Sequence, residues 1–145
     1  MEVTDALART DTEQISITIE TSTLPDLIVT GVTGQDAAEG GTLSFSSTIQ
    51  NVGNAVAGPS TATVWLSRSD GSGSTFLCEA SIGSLAAGAS TPFSGTCSVP
   101  DMGIAPGGYL LRWLRIRVDA DNDVSESNEN NNTTLSSGFY TISGT

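Results

Sequence analysis

From residue 26 to residue 143 apolar side chains recur at every second position, in short runs broken by glycine, serine, asparagine and aspartate. An extended chain points successive side chains to opposite faces, so this period calls for half-buried strands. Seven runs carry it, at 26–33, 42–51, 61–68, 75–81, 91–99, 109–118 and 133–143. No stretch of useful length holds the helical period. Short strands with short connections predict an all-β, seven-stranded immunoglobulin-like β-sandwich. An eighth run at residues 14–20 alternates strictly through Ile15, Ile17 and Ile19 and lies ahead of the seven. It predicts an extra N-terminal strand within an extension at 1–24, joined by a linker at 21–25 to a domain at 25–145.

Composition narrows the chemistry. Among 145 residues there is no lysine and no histidine, and five arginines stand against 16 acids for a net charge of -11. Nucleic-acid binding rests on cationic side chains neutralising phosphates, so it is not expected. The missing histidine removes the commonest general base, and the missing lysine removes Schiff-base chemistry. An enzyme is not expected. No run reaches 18 apolar residues, so no membrane-inserted helix is expected, and residues 1–24 lack the basic start and apolar centre of a signal peptide.

Five of the acids fall in one stretch, Asp119, Asp121, Asp123, Glu126 and Glu129, followed by Asn130, Asn131 and Asn132. Aspartate and asparagine bond to their own local backbone and favour turns over strands. The stretch is therefore a loop between the sixth and seventh strands. It is either a turn with solvated acids or a cage for a hard cation, with Asp119, Asp121, Asp123, Glu126, Asn128 and Glu129 as candidate ligands. Calcium is the cofactor that such oxygens suit. The loop is not an EF-hand, because Val124 stands where that motif needs glycine and Asn130 where it needs glutamate.

The same stretch, Asp119-Ala120-Asp121-Asn122-x-Val124-x-Glu126-Ser127-Asn128-Glu129-x-Asn131-Asn132, resembles the C-terminal signature of the CARDB family, a cell-adhesion-related domain of bacteria and archaea. Pro25-Asp26-Leu27-Ile28-Val29, Asn51-Val52-Gly53-Asn54-Ala55 and Gly83-Ser84-Leu85-Ala86-Ala87-Gly88 fit the family in order. The resemblance implies an immunoglobulin-like fold, no catalytic residues, and an extracellular or cell-surface location in a prokaryote. Asn131-Asn132-Thr133 and Asn132-Thr133-Thr134 are glycosylation sequons, but a prokaryotic source makes that modification unexpected.

Three features remain. Cys78 and Cys97 flank a turn centred near Gly88, so a simple hairpin sets them opposite each other. They are either bonded or two buried thiols, and the extracellular location implied by the resemblance favours the bond. Trp65 and Trp113 lie opposite the main apolar face of their strands, which predicts an exposed aromatic patch with Tyr109 and Leu111, unless the faces are inverted and one tryptophan is core. The extra strand has three places to go: its own domain's edge, a preceding module, or another copy, as in strand donation. The expectation is a non-catalytic extracellular structural or adhesive module that self-assembles by its N-terminal strand, with other copies as partners. The alternative is a carbohydrate- or ligand-binding module of a larger secreted protein, with carbohydrate or a cell-surface protein as partner.

Overall fold

The computed structural model describes residues 23–145. The expected strand at residues 14–20, with Ile15, Ile17 and Ile19, lies outside the described residues. The described chain forms β1 (Leu27–Thr33), β2 (Ala37–Ala38), β3 (Thr42–Asn51), β4 (Ser60–Ser67), β5 (Thr75–Ile82), β6 (Ser90–Pro92), β7 (Gly95–Ser98), β8 (Tyr109–Arg117) and β9 (Thr133–Ser143). One sheet carries β1-β3-β6, with β7 also pairing β3, and the other runs β2-β9-β8-β4-β5. No helix among the described residues is long and apolar enough to cross a membrane.

The period-two pattern decides what the sandwich encloses. Leu43 and Ile49 of β3, Val64 and Leu66 of β4, Leu114 and Ile116 of β8, and Ile142 of β9 are fully buried between the sheets. A fully buried aliphatic side chain of this size contributes roughly 2 kcal/mol, which is why the alternation dominates strand orientation. Phe45 and Phe93 meet at 5.0 Å between ring centroids and complete the core on the β6–β7 side. Each of the seven expected strands is present, with two differences. The stretch expected at 91–99 is broken into β6 and β7, where Ser47 donates its hydroxyl to the Phe93 carbonyl. The expected turn at 34–41 contains β2, which pairs parallel with β9 through Ala37↔Ile142 and Ala38↔Ser143.

The cysteines do bond, but not across a hairpin. β5 pairs with β4 in one sheet, while β7 pairs with β3 in the other. The Cys78–Cys97 disulfide therefore ties the two sheets together, with Cα atoms 5.6 Å apart. The turn between them is a crossing from sheet to sheet, pinned by reciprocal backbone hydrogen bonds between Ala57 and Leu85. Their symmetric spacing about Gly88 mimics a hairpin because the crossing is as short as one.

Candidate functional site

The loop at residues 119–132 folds back on itself at one end of the sandwich. Asp119 and Asn122 take positive φ of 52° and 57°, the left-handed region that aspartate and asparagine tolerate best among side-chain-bearing residues. This turn buries the Asp119 side chain beneath the loop, where its carboxylate accepts the amides of Asp123 at 2.8 Å and Val124 at 3.2 Å. The next turn is closed by Glu129, which accepts the Glu126 amide at 2.8 Å. Glu126 is only 7% exposed. It accepts the Leu27 amide at 2.7 Å and the Asn132 side-chain amide at 2.9 Å and 3.0 Å.

Carboxylate oxygens of Asp119, Glu126 and Glu129 lie within 4.8 Å of one another. Two buried carboxylates side by side resist losing both protons. Burial, and then the hydrogen bond and charge of Asp119, push the Glu126 carboxyl up to about 7, against the lowering pull of the Leu27 amide and Asn132. Of the six candidate ligands, the fold brings these three together. Asp121 and Asp123 are exposed, and Asn128 turns its oxygen to the Asn130 amide at 2.9 Å.

Asn51 is a structural position that sequence reasoning missed. It is fully buried. Its oxygen accepts the Asp26 and Gly53 amides at 3.0 Å each, and its nitrogen donates to the carbonyls of Ala55 at 2.7 Å and Leu85 at 3.0 Å. Gly53 is required beside it, because a Cβ there would lie 2.6 Å from the Asp26 nitrogen. Asn51 thus links three of the four motif stretches, and the Glu126–Leu27 bond links the fourth. The signal was present as the Asn51-Val52-Gly53-Asn54 run, but an asparagine at a strand end reads as a turn former.

A second surface lies on the outer face of the five-stranded sheet. β4 pairs with β8, setting Trp65 opposite Arg115 and Ser67 opposite Trp113. Trp65 meets Phe76 edge-on at 5.2 Å, and Trp113 meets Phe139 at 5.5 Å. The Arg115 guanidinium sits 5.4 Å over the Trp65 ring, a cation–π contact. Phe76 is 43% exposed, Tyr109 63%, Leu111 39% and Phe139 51%. Both tryptophans are half-buried on this outer face, so Trp65, Tyr109, Leu111 and Trp113 share one face.

The CARDB family model matches residues 24–136. Among solved structures, the chain is similar to the CARDB domain of a Pyrococcus furiosus protein, crystallised in complex with di-metal ions. The match is at 21% identity and a TM-score of 0.58, over 86% of this chain and 97% of that one. It is also similar to a domain of a Methanosarcina acetivorans protein named for the cell surface, at 24% identity and a TM-score of 0.58, over 81% of this chain and 92% of that one. At these identities the likeness concerns the fold. No curated protein matches the chain.

Proposed function

Because the chain belongs to the CARDB family, we propose that it is a non-catalytic extracellular subunit that self-assembles, using the strand at residues 14–20 to join a neighbouring copy. The observation that carries this reading is that the described residues already make a filled sandwich. The core from Leu27 to Ile142 is closed by the strands β1 to β9. The alternation of residues 14–20 predicts an additional strand with three isoleucines on one face, which would need an edge to pair with, and a neighbouring copy offers one. Head-to-tail contacts of this kind that do not close give filaments. The test is sedimentation and electron microscopy of the full chain beside Ile17→Asp. The expected result is a polymer from the first and a folded monomer from the second, since an unpaired carboxylate is costly to bury. A polymer from both removes strand donation from the account.

The loop triad holds a divalent cation in this reading. Its donors are all carboxylate oxygens, the hard ligands that calcium takes. Asn131 of the same loop carries a buried side-chain oxygen that accepts no hydrogen bond among the described residues. The bound di-metal ions of the Pyrococcus furiosus domain lend the reading support. Asp119, Glu126 and Glu129 would hold the ion, whose charge would offset the crowding of their carboxylates and so brace the loop against β1. Asp121, Asp123 and Asn128 stay available only through loop movement.

A second reading is favoured by the aromatic face. Trp65, Tyr109 and Trp113 on a flat sheet can stack against sugar rings, which makes carbohydrate the ligand of a surface module. Retardation of the protein on a polysaccharide gel, abolished by Trp113→Ala, would support this reading. Unretarded migration would leave the face to protein partners.

A further inference from the structure

The sandwich has four exposed flanks where a strand could be added, and they are not alike. The outer flank of β1 is occupied: the Leu27 amide donates to Glu126 at 2.7 Å, and the Leu27 and Val29 carbonyls accept Asn132 at 3.0 Å and Thr134 at 2.7 Å. The far end of β9 is covered by β2, and the Thr141 amide donates to Asp36 at 2.8 Å. β6 is three residues ending in Pro92, and β7 is four. β5 is different. It spans eight residues, pairs with β4 on one side, and among the described residues nothing pairs with its other side or hydrogen-bonds to its backbone there. The register shift between Val64 and Trp65 leaves Leu77 as an extra residue, so Cys78 to Ile82 is the regular part of this flank. Exposed edges are normally blunted by lysine, proline or bulges; this stretch has neither lysine nor proline, and Glu79 is its one charge.

We infer that the free flank of β5, from Cys78 to Ile82, is the acceptor edge for residues 14–20 of a neighbouring copy. This rests on the self-assembly reading above and adds the surface that receives the strand. The pairing partners on β4 fix which way β5 side chains point. Cys78, Ala80 and Ile82 lie opposite Val64, Ala62 and Ser60 on the inner face, while Glu79 and Ser81 lie opposite Thr63 and Thr61 on the outer face. The sequence Ile15-Ser16-Ile17-Thr18-Ile19 has the same alternation as Cys78-Glu79-Ala80-Ser81-Ile82. Paired side by side, three isoleucines continue the inner row and two hydroxyls continue the outer one. Ala80 lies on the inner row at the last strand yet is exposed, and the isoleucine row would cover it.

The donor comes from another copy for reasons of reach. β1 and β5 lie in different sheets on opposite sides of the sandwich. Leu24 is held to Asn54 by two hydrogen bonds, so only residues 21–23 of the linker are left to span the distance, at most ~10 Å, which is about the separation of the two sheets alone. A donor in its own domain would have to cross the sandwich's width as well.

The test uses full-length chains. Thr61 turns its carbonyl to Ala120, so Ala62 and Val64 turn their backbone groups to Ala80 and Cys78, and the outward amides of β5 are those of Glu79 and Ser81. Ser81→Pro removes one of these donors from the acceptor edge and leaves the donor strand intact. Ile17→Asp disables the donor and leaves the acceptor intact. Each variant alone is expected to sediment as a monomer, and an equimolar mixture as a dimer, because one working strand meets one working edge. Hydrogen exchange on the unmodified chain gives a readout independent of folding defects. The outward amides of Glu79 and Ser81 should become protected on assembly and exchange freely in the diluted monomer. Polymer formation by Ser81→Pro, or unchanged exchange at Glu79 and Ser81 on assembly, overturns the β5 assignment while strand donation survives. Protection already complete in the diluted monomer places the strand on its own domain and overturns the assignment too. Polymer formation by Ile17→Asp overturns both.

Discussion

The two sides of the sandwich are closed by different chemistry. On the β1–β9 side, polar side chains span the gap: Glu126, Asn132 and Thr134 take up the edge amide and carbonyls of β1. On the β5–β7 side, a single disulfide joins the sheets, and β5 keeps its outer backbone groups. A polar seal uses up the edge and makes it depend on protonation. A covalent seal holds the sheets without using the edge, which stays available to another chain. A sealed edge and an open one thus coexist in one small domain.

The comparison breaks first at Asn51, the hub of the polar end. Asn51→Ala strands two amides and two carbonyls. At about 1 kcal/mol for each lost hydrogen bond, the expected loss is roughly 4 kcal/mol, read by urea denaturation. A loss under about 1 kcal/mol would mean that water replaces the side chain. The covalent side comes next. The disulfide closes a loop with a sequence separation of 19 residues, which contributes on the order of 3 kcal/mol by chain entropy. Cys78→Ser with Cys97→Ser should lower stability by that amount. Thiol titration of the denatured, unreduced protein should find no free thiol; two per chain would contradict the bond.

Glu126 gives the polar seal its pH signature. An acid whose folded pKa lies above its unfolded value keeps its proton in the fold. Its stabilising contribution is full below about 4.5 and is lost as pH rises through about 7. The shift corresponds to about 3 kcal/mol between those limits. In chelator, the stability of the native protein relative to Glu126→Gln should fall by that order between pH 4 and pH 8. Millimolar calcium at pH 8 should restore it in the native protein and not in the variant, since an ion bound only by the fold stabilises by mass action. Equal pH profiles for the two proteins, with no calcium effect, would reduce the loop to a turn. The smallest effect is expected at Thr134→Val, which removes the hydroxyl bonded to Val29 and should cost about 1 kcal/mol in the same assay.

Strand positions were legible because alternation reports burial directly, as Leu114 and Ile116 illustrate. What alternation cannot report is which sheet a strand joins, and the cysteine pair was misread as a hairpin for that reason. β2 was invisible because two alanines carry no period. In the acidic loop, the spacing of Asp119, Asp121 and Asp123 suggested three ligands in a row. The positive φ at Asp119 instead turns its side chain inward to cap the loop, and the partners it meets, Glu126 and Glu129, come from the following turns. Asn51 was unreadable because four hydrogen bonds to distant backbone exist only once the chain is folded.

The central claim is that assembly depends on a strand outside the sandwich. The most direct measurement is sedimentation of a chain lacking residues 1–20, compared with the full chain at the same concentration, with near-ultraviolet circular dichroism to verify the sandwich. The account predicts a folded monomer from the truncated chain and a polymer from the full one. A truncated chain that polymerises as the full one does would contradict it.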